Sequence, residues 1–317
     1  MDVITLGETM VLFTPDSTGL MRYAGNFSAK VAGAESNVAI GLARLGHQSG
    51  WMSRLGEDEL GKKVLSFIRG ENVDVSRVSF DPSASTGLYL KEKLAANEMK
   101  VHYYRKDSAA SGMQSDDLDE AYIAKFKYLH VTGITPALSQ SCYETIVEAI
   151  AIAKKNNITV VFDPNLRKKL WTEIEARRIL LELSAMSDIV LPGIEEGEFL
   201  FGETHPEKLA ASFHNLGAKC VILKLGKDGA YYSSETDKGY VEGYQVDQVI
   251  DTVGAGDGFA AGFISGLLDH LTLKQATERA NAVGALVTMV DGDVEGLPER
   301  SRLLDFMNAT NREDVSR

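Results

Sequence analysis

Five short apolar runs recur along this chain, and helical patterns separate them. VITLG (3–7), YLHVTG (128–133), ITVVFDPN (158–165), DIVLPG (188–193) and CVILKLG (220–226) read as buried strands, each ending at Gly, Pro, Asp or Asn. Helical stretches lie between them, among them SNVAIGLARLG (36–46) and TEIEARRILLELS (172–184). The second opens with Thr172 and Glu175 at capping-box spacing. Strand, helix, strand repetition of this kind restricts the chain to an α/β fold, a mostly parallel sheet covered by helices on both faces. Ligands of such sheets bind beyond the carboxyl ends of the strands.

Two regions break the pattern. Residues 11–33 and 85–108 alternate polar and apolar side chains without a helical period, which predicts short half-exposed strands. Both flank the start of the α/β run, so they form either a small β-sheet lid at its edge or an ordinary edge hairpin. The chain divides accordingly into a core of 1–10, 34–84 and 109–310 and a β-strand lid of 11–33 and 85–108. A polar tail, 311–317, is expected to fray.

Composition narrows the partners. The 317 residues carry a net charge of −12, which argues against nucleic acid, whose binders show a basic stripe. No run approaches the about 18 apolar residues of a membrane span. The opening MDVITLGETM shows no secretory pattern, and two distant cysteines, Cys142 and Cys220, fit a reducing compartment. A cytoplasmic protein is the expectation.

The run TVGAGDGFAAGF (252–263) bears the chemistry. Gly254, Ala255 and Gly256 sit where an apolar helix begins, and the unpaired N–H groups of a helix start form an anion cradle. Asp257 beside them has the wrong sign for that cradle. It either favours the helix dipole or acts as a general base, taking a hydroxyl proton while the amides hold a phosphoryl group. Other motifs fail. GEDELGKK (56–63) lacks the Ser or Thr that ends a phosphate loop of the Walker type and reads as a surface turn into a helix. There is no dinucleotide motif at 254–259, no zinc spacing and no G-x-S-x-G elbow.

DTVGAGDGFAAGF (251–263) resembles the C-terminal signature of the ribokinase (PfkB) family of carbohydrate kinases. AGAESNVAIGLARLG (32–46), SRLGEDELG (53–61), KLGKDGAYY (224–232) and ANAVGALVTMVDGDVEGLP (280–298) follow the family's order and spacing. The resemblance covers essentially the whole chain and implies a ribokinase-like fold with a β lid. It also implies ATP as donor and Mg2+ carried with the nucleotide, and it leaves room for a monovalent cation such as K+. Asp257 matches the catalytic base, and Gly254, Ala255 and Gly256 the anion hole. Asn165, Gly193, Leu225, Gly226, Lys227, Asp228, Gly229 and Asn281 match the ATP side. Lys224 reads as a strand-end surface lysine and is left out. Where the family carries N-x-x-E, this chain has Gly193-Ile194-Glu195-Glu196. Glu196 is either an indirect organiser of magnesium or a helix-start acid.

The acceptor is marked by Arg105, in the lid, and Arg167, after the strand end DPNLR. Two guanidinium groups suit a carboxylate better than a neutral sugar, although Arg105 could be an exposed lid charge and Arg167 a nucleotide contact. Tyr89, Tyr103, Arg105, Ile134, Arg167 and Asp293, with Gly33 and Asn37, are similar to the substrate set of the family's 2-keto-3-deoxygluconate kinases. That implies ATP-dependent phosphorylation of this sugar acid at its terminal hydroxyl, giving 2-keto-3-deoxy-6-phosphogluconate. A kinase for fructose or ribose and a non-catalytic sugar or nucleotide sensor are the rival readings. A projecting lid exposes strand surface, so a homo-oligomer formed through it is expected.

Overall fold

A computed structural model describes residues 1–95 and 98–315, with side chains described through residue 309. All five apolar runs become strands of one nine-stranded sheet. Its order is Lys238–Val241, Ala230–Ser234, Cys220–Lys224, Ile189–Val190, Thr159–Asp163, Tyr128–Thr132, Val3–Leu6, Ser49–Gly56 and Val78–Asp81. Pairing is parallel from Cys220–Lys224 through to Val78–Asp81. The first two strands add an antiparallel hairpin at the edge. From Val3–Leu6 the chain builds first toward one edge and later toward the other. The crevice of a doubly wound sheet opens at such a reversal, beside the carboxyl ends.

Neighbouring residues of each strand enter different cores, because successive side chains point to opposite faces. Ile4, Val160, Phe162, Val221 and Leu223 pack with residues of the helices Gln140–Lys155, Glu173–Ala185 and Pro206–Leu216. Val3, Val161, Cys220 and Ile222 pack on the other side with the helices Ala34–Arg44, Ala255–Leu268 and Leu273–Thr288. Both faces are therefore covered. Thr172 and Glu175 do form the reciprocal capping box. The segment 56–63 is a turn into the helix Glu59–Gly70, whose N-cap Asp58 accepts the Gly61 N–H at 2.7 Å.

Four strands form a second sheet in the order Phe27–Ala32, Met10–Pro15, Leu88–Ala95, Glu98–Tyr104. They come from the two alternating segments. Met10, Leu12, Ala32 and Tyr89 make its small core, while Phe27, Met99 and Tyr104 stand exposed. The strands Ser49–Gly56 and Val78–Asp81 and the hairpin Ala230–Ser234 with Lys238–Val241 were not marked in the sequence, where glycines and polar residues interrupt them. Residues 311–317, expected as a frayed tail, overlap the helix Arg300–Val315, and 316–317 lie outside the described residues. No described helix is long and apolar enough to cross a membrane.

Candidate active site

The helix Ala255–Leu268 is the element on which the site turns. Its N-cap, Gly254, has φ +77°, and a Cβ there would lie 2.6 Å from the Asp293 carbonyl oxygen, so both the angle and the space require glycine. Gly258 and Gly262 serve packing rather than the anion cradle. A Cβ on either would press into the helix Leu273–Thr288, so they are packing glycines. The Ala255 N–H leans toward the Thr252 carbonyl at 3.3 Å. Helix geometry leaves the Gly256 and Asp257 N–H groups without intrahelical acceptors.

A cleft of about 380 Å3 opens over this helix start. Gly33, Asn37, Tyr89, Tyr103, Arg105, Ile134, Arg167 and Asp293 all line it together with Gly254, Gly256 and Asp257. Residues separated by hundreds of positions thus converge on one wall-to-wall site. The small sheet supplies Tyr89 and Tyr103, whose rings lie 5.5 Å apart. A second cleft of about 310 Å3 lies beyond Gly256, walled by Tyr244, Val246, Val249, Phe259 and Ala285. Gly226, Lys227, Gly229 and Asn281 line this one. Leu225 and Asp228 belong to the same turn, which closes through the Leu225 N–H to the Gly229 carbonyl at 2.8 Å. Asn281 spends its amide on the Val241 and Glu242 carbonyls and so shapes the wall. Asn165, grouped with the nucleotide side in the sequence, lines the first cleft instead. Gly193 caps the helix Ile194–Phe201.

Asp257 accepts the Asn37 amide at 2.8 Å. Burial lifts its pKa to about 7, with Asp163 and Asp293 adding to the rise and Asn37 and Arg167 opposing it. Asp293 is raised to about 6 by burial and by Asp251 and Glu295, against the pull of Lys91. Tyr89 donates its hydroxyl to Asp293 at 3.4 Å. Two buried acceptors in the first cleft, Asn37 Oδ1 and Asp293 Oδ1, have no partner among the described residues. Such atoms are costly unless a ligand donor meets them.

Lys224 corrects the sequence reading. It is no surface lysine: it lines both clefts and donates to Asp163 at 2.7 Å with its side chain 19% exposed. Burial alone would favour losing its proton, but Asp163, Glu196 and Asp257 outweigh that and hold its pKa above the ordinary lysine value. Asp163 was overlooked with it. Glu196 accepts the Gly193 N–H at 2.7 Å with one oxygen and the Leu166 N–H at 2.8 Å with the other. Burial, with Asp163 adding, raises its pKa against the pull of Lys224. Among the described residues, no three His, Cys, Asp or Glu side chains gather as a metal-holding group.

The two arginines differ. Arg105 is held by Glu8, which takes its Nε–H at 2.7 Å and also accepts the Ser108 hydroxyl at 2.5 Å. Glu8, buried at the end of Val3–Leu6, went unnoticed in the sequence. Arg167 is exposed and makes no salt bridge among the described residues, though its charge reaches Asp257.

The sequence profile of pfkB family carbohydrate kinases matches residues 1–300. A 2-dehydro-3-deoxygluconokinase of Bacillus subtilis (strain 168) is 45% identical over 312 residues, covering 98% of this chain and 96% of that protein. The crystal structure of a PfkB protein from Polaromonas sp. JS666 superposes with a TM-score of 0.88 at 43% identity, over 96% of this chain and 99% of that one. A putative ribokinase II from E. coli, in complex with ATP and Mg2+, gives a TM-score of 0.90 at 27% identity over 97% and 99%.

Proposed function

The chain belongs to the pfkB family of carbohydrate kinases, and from that membership we propose that it is an ATP-dependent kinase of 2-keto-3-deoxygluconate, forming 2-keto-3-deoxy-6-phosphogluconate. One observation carries the chemistry: a buried carboxylate, Asp257, whose pKa of about 7 suits a general base, lines the first cleft at a helix start, next to Gly256, which lines both clefts. The apolar second cleft takes the base of ATP, and the first takes the sugar. Lys224, Thr252 and Gly256 line both, so the phosphoryl group passes between the clefts there.

Asp257 removes the proton of the terminal hydroxyl, and that oxygen attacks the γ-phosphorus in line as the bond to ADP breaks. The Gly256 and Asp257 N–H groups and the Lys224 ammonium face the charge on the transferring group. When bound with the nucleotide, Mg2+ would supply neutralisation of the phosphate charge. Asp163 and Glu196, both close to Lys224, are the acids that would hold it. Both Glu196 oxygens are engaged by amides, which suits a role through water. Asn37 Oδ1 and Asp293 Oδ1 accept sugar hydroxyls, and Arg167 with Arg105 takes the carboxylate.

Residues 11–33 and 85–108 act as the lid over the sugar, since Tyr89, Tyr103 and Arg105 reach the cleft from them. Exposed Phe27, Met99 and Tyr104 support a homo-oligomer through this sheet. Two free buried thiols fit the cytoplasm. Coupled ADP release over 2-keto-3-deoxygluconate, its galactonate epimer, gluconate, fructose and ribose tests the assignment, run with K+ and with Na+ to decide the monovalent cation. The sugar acid should give the highest kcat/KM; fructose in first place would overturn it.

A further inference from the structure

Lys91 and Asp251 form an ion pair between the small sheet and the segment before the helix Ala255–Leu268, with side chains only 6% and 3% exposed. Lys91 stands on the strand Leu88–Ala95 of the small sheet, and Asp251 opens the segment that leads into Gly254. Taking both charges out of water costs about as much as their attraction returns, so stability alone does not account for the pair. The Asp251 carboxylate does two things. Oδ2 receives the Lys91 ammonium, while Oδ1 accepts the Val253 N–H at 3.1 Å, fixing the Thr252–Val253 peptide on the way into Gly254. Two positions earlier on the same strand, and hence on the same face, Tyr89 reaches Asp293. The Asp293 carbonyl is the atom packed against Gly254. One strand of the small sheet therefore grips the anion-binding turn from both sides.

We infer that Lys91 is a positioning residue whose pairing with Asp251 carries the seating of the small sheet into the geometry of the turn at Gly254–Asp257. The turn reaches its transfer geometry only with the sheet in place. This rests on the phosphoryl-transfer reading above.

Steady-state kinetics and thermal unfolding of Lys91→Met, Lys91→Arg, Lys91→Ala and Asp251→Asn test it. Lys91→Met should lose about 100-fold in kcat, the scale of an ångström misplacement, with both KM values little changed. Lys91→Arg should recover most of that loss. With K+ held at a saturating level, ammonium chloride should raise kcat of Lys91→Ala, where a small cation can refill the space beside Asp251, and leave the unsubstituted protein unaffected. A folded Lys91→Met with unchanged kcat overturns the inference, as does a loss confined to KM. If Lys91→Met does not fold, the near-isosteric Asp251→Asn decides: unchanged kcat overturns it, and failure of both to fold makes the pair a structural staple. Inactivity of the unsubstituted protein on every sugar sinks the kinase reading instead, before any variant is compared.

Discussion

Asn37 donates its side-chain amide to the Asp257 carboxylate at 2.8 Å, joining two helix starts that lie 220 residues apart in sequence. The bond is the largest influence holding the Asp257 pKa down against burial. The kinase rate should therefore fall with acid below about pH 7, as the base takes up its proton. Asn37→Leu removes the opposing hydrogen bond, so the acidic limb of kcat/KM should move to higher pH. A pH–rate profile whose limb stays put would show that Asp257 is not the titrating base. Stability carries the opposite sign. Between pH 3.8 and about 7 the folded protein holds a proton on Asp257 that the unfolded chain has released, so stability falls as pH rises through that window. Asp257→Asn should abolish turnover and should stabilise the fold more at pH 8 than at pH 4, by up to roughly 4 kcal/mol for a shift of about three pKa units, read by denaturant unfolding at the two pH values.

Local signals were legible in the sequence; long-range electrostatics was not. The strands Val3–Leu6 and Thr159–Asp163 announce themselves through neighbouring apolar residues, and Gly254 through its company at a helix start. The fate of Lys224 depends on Asp163 and Glu196, which reach it only after the sheet assembles. A lone lysine at a strand end has the same local pattern whether it meets solvent or two acids. Glu8 was hidden for the same reason, because its partner Arg105 lies 97 residues away. The packing role of Gly258 was hidden likewise, because the helix it meets begins at Leu273.

Lys224 yields a second prediction. Among the described residues its ammonium is the cation that lines both clefts, whereas the exposed Lys227 lines only the nucleotide side. Lys224→Met should lower kcat by about 100-fold or more, the scale seen when a preorganised donor to a developing charge is removed. The sugar KM should move far less. Rapid-quench single turnovers separate the chemical step from ADP release. A normal burst of product would assign Lys224 to holding Asp163 and Glu196 alone.

The two arginines should separate when each is truncated. Arg167 is exposed and unpaired among the described residues, so Arg167→Ala should leave Tm unchanged. Its KM for the sugar acid should rise by about 10–100-fold, the worth of one charge-assisted hydrogen bond, with little change for a neutral sugar. Arg105 cannot be removed so cleanly. Arg105→Ala abandons the fully buried carboxylate of Glu8, a loss of about 3–5 kcal/mol for a broken buried pair. Its Tm should fall together with its affinity. Adding Glu8→Gln to Arg105→Ala removes the stranded charge, and Tm should recover while KM stays high. Recovery of both by the double variant would mean that Arg105 serves Glu8 and leaves the substrate carboxylate to Arg167.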